Sequence, residues 1–362
     1  MGIMITLDDV AARAGVSRMT ASNALHGKSV VRPATAARVL AAARELGYQP
    51  NLAARQLTRS RTHVIGLTLA DIDLGFPADL AAQVSDLAYG RGYQTLVQQT
   101  RYSAGHERTL LASASAQVCD GMVVCWPRIA PEEMTAFAAV RPVVAFDGFG
   151  MEGLVDCVFT PCEDGSAAAV RHLAAAGCRR ILVVGAAWRA PDDLARNAGD
   201  SASRRLLGAA RALDELGLSY APDTVLPCGW GRGDEAYALG RRLAERLGAD
   251  PGAFDGVFCL NDPIALGVLK ALTDGGVRVP DDVAVIGFDG SVEGTWTTPG
   301  LTSVRVDPRD VADACLGMLV GRIESTPVTR AKPAVGTAPG GQLPPRAETA
   351  GFTIETRGSA ER

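Results

Sequence analysis

Thr6-Leu7-Asp8-Asp9-Val10-Ala11-Ala12-Arg13-Ala14-Gly15-Val16-Ser17-Arg18-Met19-Thr20-Ala21-Ser22-Asn23-Ala24-Leu25 carries two short helical patterns on either side of a glycine. Thr6 is placed as the N-cap of the first, acids follow in its opening turn, and Gly15 is its C-terminal stop. Ser17 then caps a second helix, which Gly27 closes, with Ala21, Ala24 and Leu25 inward and Arg18, Met19, Ser22 and Asn23 outward. Two helices about a tight turn, the second free to enter a major groove, make a helix-turn-helix. A third helix is predicted from Pro33 to Leu46, with Val39, Leu40, Ala43 and Leu46 as its apolar side and Gly47 as its end. Beyond Pro50, the segment from Asn51 to Thr62 holds one or two further helical turns, too short to be stable without a partner helix or DNA.

Charge is divided along the chain. Residues 1 to 62 hold nine Lys or Arg against three acids, a net of +6, so with the whole chain at −4 the remainder carries −10. A basic end on an acidic body suits an anionic polymer bound at one end only.

The body, from His63 onward, alternates short apolar runs with amphipathic stretches. Strands are predicted at Val64–Leu69, Tyr93–Gln98, Gly121–Cys125 and Val143–Phe146, with helices at Pro77–Arg91 and Gly105–Gln117 between the first three. A second set follows Glu163: a helix to Ala176, then strands at Ile181–Val184, near Val225, at Gly256–Leu260 and at Val283–Phe288. Its further helices are Arg204–Leu216, Asp234–Leu247 and Pro263–Thr273. Such βα alternation predicts two doubly wound lobes with largely parallel sheets, and a ligand cleft where their strand C-termini converge.

With 362 residues the chain is long enough for two or three domains. No run of about 18 apolar residues and no charged-then-apolar leader is present, so a cytoplasmic protein without membrane contact is expected. The eight cysteines show no CxxC and no paired His spacing, which predicts free buried thiols and no metal or other cofactor. An enzyme on a doubly wound fold is disfavoured. There is no GxGxxG after the first strand, no phosphate loop and no GxSxG, and His26, His63, His106 and His172 form no cluster with a nucleophile.

Three motifs in order, TLDDVAARAGVSRMTASNALHG, LGYQPNLAARQL and the IGL that opens the first strand, give residues 6 to 62 a close resemblance to the headpiece and hinge of the lactose/galactose repressor (LacI/GalR) family. The order of elements over residues 63 to 325 is similar to that family's effector-binding core, itself like periplasmic sugar-binding proteins. The resemblance implies a headpiece at 1–50, a hinge helix at 51–62 and a core at 63–362. It places the N-lobe at about 63–160 plus 292–324 and the C-lobe at about 161–291 plus 347–362. The chain would cross between lobes near residues 160, 291 and 325, so that Leu301–Val306 and the helix Val311–Ile323 return to the first lobe. The ending Phe352–Ser359 looks like the family's last strand, and Thr326–Arg346, rich in Pro, Ala and Gly, is read as a mobile loop. No leucine heptads follow that would support a tetramer.

By the same resemblance the protein is expected to be a homodimeric transcription regulator, a repressor by preference, holding a palindromic operator in double-stranded DNA. A small molecule, a sugar or sugar derivative, would control it. Ser17, Thr20 and Ser22 match positions that fix the DNA backbone, Arg18, Met19 and Asn23 occupy base-reading positions, and Thr6 is a further DNA-binding candidate. Many relatives carry Arg at Asn23. Asn pairs two-pronged with adenine where Arg suits guanine, although a plain phosphate contact is the alternative. In the hinge, Asn51 and Arg55 are DNA-contacting positions, and Leu57 matches a leucine that relatives push into the minor groove, its other role being a local core. Arg32 stands where relatives often have a capping Ser.

The resemblance implies four effector contacts, Asp147, Arg205, Asn261 and Asp289, and Asp71, Phe76 and Trp230 are added as further candidates. Asp, Asn and Arg at strand ends facing a cleft suit sugar hydroxyls, and Trp230 and Phe76 can stack on a sugar face. Plainer roles stay open: a strand-end Asp as a turn or cap, Asn261-Asp262-Pro263 as a helix start, the aromatics as core. The run Ala70–Pro77 and Gly290 depart from the family pattern, so no particular sugar follows. The rival within the same fold is a sugar-binding sensor that no longer holds an operator.

Overall fold

The structure, a computed structural model, describes residues 5–25, 29–48, 61–73, 75–230, 233–325 and 344–362. The chain divides into two units, the boundary falling between Thr62 and His63. The first holds helices α1 (Leu7–Ala14), α2 (Arg18–Leu25) and α3 (Pro33–Glu45). Thr6 and Asp9 form a reciprocal cap: the Thr6 hydroxyl accepts from the Asp9 amide at 3.3 Å, and Asp9 accepts from the Thr6 amide at 2.8 Å. Gly15 takes φ +63°, a left-handed turn that a side chain would strain. The Ser17 hydroxyl accepts from the Thr20 amide at 3.2 Å and so starts α2. Arg32 offers α3 no side-chain cap, and Pro33 at its first position takes over that start.

A core of small residues, Val10, Ala14, Ala21, Ala24 and Val39 among them, holds the three helices together. Leu40, expected inside, is 41% exposed. The buried face of α3 runs through Val39, Ala42 and Ala43, which leaves Leu40 a quarter turn away from it. The expected hinge turns, and with them Asn51, Arg55 and Leu57, lie outside the described residues, as do Gly27 and 326–343.

The second unit is built on two six-stranded sheets. The first has strand order β11-β5-β4-β3-β1-β2, all parallel, from β1 (Val64–Leu69), β2 (Gln94–Gln99), β3 (Gly121–Cys125), β4 (Val143–Phe146), β5 (Asp156–Phe159) and β11 (Ala347–Thr349). The second has order β12-β10-β9-β8-β6-β7, from β6 (Ile181–Val184), β7 (Val225–Leu226), β8 (Gly256–Cys259), β9 (Ala284–Asp289), β10 (Thr302–Arg305) and β12 (Thr353–Glu355). Only β12 runs antiparallel to its neighbour there. β3 and β4 are buried at every position, because helices cover both faces of a parallel sheet.

The helices, in chain order, are α4 (Gly75–Gly90), α5 (Ala104–Leu111), α6 (Ala114–Gln117), α7 (Pro131–Ala138), α8 (Cys162–Ala175), α9 (Pro191–Asn197), α10 (Ser201–Glu215), α11 (Gly233–Ala249), α12 (Asp262–Asp274) and α13 (Pro308–Ser325). The single helix expected over Gly105–Gln117 is two, because the Ser113 hydroxyl accepts from the Ala116 amide and starts a new one. Helices α8 and α10 pack so closely that a Cβ on Gly208 would lie 2.1 Å from the Glu163 carbonyl oxygen. No helix among the described residues is long and apolar enough to cross a membrane. All eight cysteines are free, and Cys228 alone among them is not fully buried.

Two placements correct the expected chain path. Leu301–Val306 does not return to the first lobe; its central residues form β10 beside β9, in register Thr302 with Ile286. Its buried polar groups find their partners in the second lobe. The Ser303 hydroxyl donates to Asp262 at 2.6 Å, and the Thr302 amide to the Ser359 hydroxyl at 2.8 Å. The crossing expected near 291 therefore falls after Arg305, and α13 packs on α4, β3, β4 and β5. Residues 347–349, expected in the C-lobe, pair with β5 as β11, so the last crossing lies between Thr349 and Thr353. Asp156 sets this edge: Arg322 grips its carboxylate at 2.7 and 2.8 Å, and the Arg346 amide donates to it at 2.8 Å.

Candidate functional site

In the first unit the outer face of α2 carries the candidate groups. Arg18 and Met19 are exposed, Met19 by 73%, while Thr20, Ser22 and Asn23 are half-buried. The hydroxyls of Ser17 and Thr20 lie 2.9 Å apart at the start of the helix. The face therefore presents one guanidinium, one flexible thioether and short polar groups on a rigid, capped helix, which is chemistry suited to base edges and phosphates.

In the second unit a cavity of about 340 Å³ opens at the strand ends of both sheets. A second of about 30 Å³ adjoins it, sharing Tyr102, Trp126 and Trp230. All seven residues expected at the cleft line one or the other: Asp71, Asp147 and Trp230 the larger, Phe76, Arg205, Asn261 and Asp289 the smaller, with Trp230 in both. The backbone here is strained. Arg101, Tyr102, Trp126 and Asp147 leave their strands at φ between +50° and +56°, and Asp289 ends β9 at φ +120°. Non-glycine residues hold such angles only where the surroundings dictate them, at about 1–3 kcal/mol each, and they gather at functional sites.

Asp147 is enclosed by donors. The Thr160 amide reaches it at 2.7 Å, the Ser201 hydroxyl at 3.0 Å and the Trp126 indole Nε1 at 3.1 Å. Burial raises its carboxyl above the usual range, against the pull of those donors. Arg205, nearly buried, donates from Nη1 to the Leu260 carbonyl at 2.5 Å and from Nη2 to Asp289 at 2.9 Å. Its guanidinium lies 3.6 Å over the Phe288 ring and 5.3 Å from that of Trp230, while its buried Nε has no hydrogen-bond partner among the described residues. Asp262 lies beneath, accepting from the Ser291 amide and the Ser303 hydroxyl, both at 2.6 Å. Burial raises the carboxyls of Asp262 and Asp289, and the charge of Asp289 raises Asp262 further.

The plainer roles are also real. Asn261 caps α12 by accepting from the Ile264 amide at 3.0 Å, which leaves its amide nitrogen for the cavity. Phe76 stacks on Phe146 at 6.2 Å and belongs to the core as well as to the cavity wall. Asp71 is held by Gln99 at 3.0 Å and Arg101 at 2.9 Å. Sequence reasoning missed Tyr102, Trp126, Arg128, Asp200, Ser201 and Cys228, all of which line the larger cavity. Trp126 directly follows a strand and Asp200 precedes a helix, so the strand-end and cap signals that found Asp147 and Asn261 applied to them too. Among the described residues no three of His, Cys, Asp and Glu come together as a metal-holding group.

The model for bacterial regulatory proteins of the lacI family matches residues 6–51, and that for a periplasmic binding protein-like domain matches 170–341. The transcriptional repressor PurR of Pectobacterium carotovorum is 30% identical over 325 residues, 89% of this chain and 91% of that protein. The chain belongs to the LacI family. The catabolite control protein A of Priestia megaterium, 28% identical over 87% of this chain and 91% of its own length, agrees. Among solved structures, the regulator CelR in complex with cellobiose is 27% identical, with a TM-score of 0.66 over 98% of this chain and 99% of that one. The lac repressor dimer, 22% identical with a TM-score of 0.77 over 99% of each chain, shares the fold. A LacI-family chain with this helix-turn-helix and this core is a DNA-binding transcription regulator and not an enzyme.

Proposed function

We propose that the protein represses transcription in the cytoplasm as a symmetric homodimer, each headpiece laying α2 into one half of a palindromic operator. Arg18, Met19 and Asn23 read base edges there, with Asn23 on adenine, while Thr6, Ser17, Thr20 and Ser22 hold the backbone. In the hinge, Asn51 and Arg55 join those contacts, and the two Leu57 side chains wedge the central base step. Two-fold symmetry follows from such a wedge, which needs two copies. Trp296, 72% exposed, and Val292, 48% exposed, stand on one short turn after β9 and support a subunit contact.

A small polyhydroxylated effector binds between the two lobes of each core and changes operator affinity. Coupling of about 1–3 kcal/mol, typical of such linkage, is roughly a five- to 150-fold change. The observation that carries this is the cavity of about 340 Å³ lined by Asp71 and Asp147, together with the adjoining one lined by Arg205, Asn261 and Asp289, both walled by Trp230, within a LacI-family chain. The cellobiose bound to CelR supports a sugar-like ligand.

The test is selection of fragmented source DNA by the purified full-length protein at two salt concentrations, with and without candidate sugars. A recovered palindrome with steep salt dependence, and occupancy that responds to a sugar, is expected. Sequence-blind binding at every condition would overturn the operator reading and leave the sensor alternative.

A further inference from the structure

The hydrogen-bonding groups of the cavity divide by whether they are already engaged. Each carboxylate already holds a protein donor on at least one oxygen. Arg101 and Gln99 both donate to Oδ1 of Asp71, a ring of donors encloses Asp147, and Arg205 donates to Oδ1 of Asp289. Asp200 accepts from the amide of Ser203 at 2.8 Å and from its hydroxyl at 3.2 Å. Two donor groups are open. Among the described residues Arg128 makes no ion pair and no side-chain hydrogen bond, and the Tyr102 hydroxyl makes no hydrogen bond.

Resting on the effector reading above, we propose that the ligand of this cleft is an acidic polyol, a polyhydroxylated molecule bearing one carboxylate or phosphate, and that Arg128 holds its anionic group. A cavity whose carboxylates are each held by protein donors, while a guanidinium and a phenol are open, favours a ligand that brings acceptors. The planar guanidinium adds paired donors that fit a carboxylate or a phosphate oxygen pair. Arg128 is set in place independently of its side chain. Its backbone amide donates to Glu107 at 2.7 Å, and Glu107, 1% exposed on α5, fixes the loop after β3. The guanidinium lies 5.5 Å over the Tyr102 ring, which helps to direct it, and both residues line the cavity. The carboxylates around it do not repel an anion at full strength, since Asp71 and Asp289 have guanidinium partners and burial disfavours charge on Asp147. Trp126 and Trp230 supply the apolar faces for the sugar ring.

Calorimetric titration of the full-length protein tests this, with a panel of aldohexoses, their aldonic and uronic acids and their 6-phosphates. Wild type is compared with Arg128→Gln and Arg128→Lys. Because the loop is anchored through the backbone, both variants keep it. At least one acid is expected to bind tenfold or more tightly than its neutral parent, and whether that acid is a carboxylate or a phosphate names the group. Arg128→Gln brings the acid to the level of the neutral parent, and Arg128→Lys restores part of the difference. Equal binding of neutral and acidic forms by wild type, or an advantage that survives Arg128→Gln, overturns the anion site while the effector cleft stands. Failure of every polyol to bind wild type overturns both.

Discussion

The headpiece and the core cleft make opposite use of their polar residues. In the headpiece the chemistry faces out, on consecutive turns of α2, and the inner face is alanine and valine. In the cleft it faces in, on Asp147, Arg205 and Asp289, which lie far apart in sequence and meet over strained backbone. The difference is one of reserve. A core that buries Phe146, Phe258 and Phe288 can hold buried charges and left-handed aspartates, whereas a core of small side chains leaves helix starts and turns to caps and glycines.

The largest effect that sharpens this contrast is removal of an ion-pair partner in each unit. Asp156 is wholly buried and gripped by Arg322 at two points, so Asp156→Ala removes the buried partner of that guanidinium and is expected to cost about 3–5 kcal/mol. Arg13 and Glu45 are both more than half exposed, and Glu45→Ala is expected to cost under about 1 kcal/mol. Thermal unfolding of the two variants reads both, and similar losses would break the contrast. Next is Gly208→Ala, whose new Cβ would meet the Glu163 backbone where α8 and α10 cross. Overpacking there is expected to cost about 1–3 kcal/mol, seen as a lowered midpoint in denaturant at unchanged slope.

The same contrast explains what the sequence made legible. The headpiece could be read almost residue by residue, because caps, turn glycine and reading face are local: Thr6, Gly15 and Ser17 each act within four residues of themselves. Strand and helix positions in the core were likewise local and close to those found. Placement of Leu301–Val306 was not. It is decided by partners distant in sequence, Asp262 for Ser303 and Ser359 for Thr302, and periodicity carries no such information. The cleft was half legible. Asp147 and Asn261 stood out at strand ends, but Arg128 looks like any surface arginine until Glu107 and Tyr102 are seen to fix its loop.

A smaller effect separates the units by pH. Asp262 and Asp289 have folded-state carboxyls raised by burial, so between the ordinary carboxylate range and about neutral the folded core binds more protons than the unfolded chain. Stability of the core therefore falls as pH rises from about 5 to about 7.5. Asp9 in the headpiece is shifted the other way, lowered by its hydrogen bonds to Thr6, so its contribution is present above the ordinary range and lost below it. Unfolding of the core followed at both pH values in wild type and Asp262→Asn checks the sign; the variant is expected to flatten the slope, and a core that gains stability with rising pH would refute it.

The smallest effect tests reserve itself, by making the same chemical change in both units. Thr6→Ala and Asp200→Ala each remove a side-chain cap from a helix start, a loss of about 1 kcal/mol in either place. In the headpiece α1 is eight residues long and shares one small core with α2 and α3, so the loss has nowhere to be absorbed. Amide exchange is expected to quicken about fivefold across all three helices. Helix α10 is fifteen residues long and buried along most of its length, from Ser201 through Leu213, so there the same loss stays within the first turn and exchange beyond Arg205 is unchanged. A headpiece response confined to α1 would mean that its three helices open separately and that the small core does not tie them.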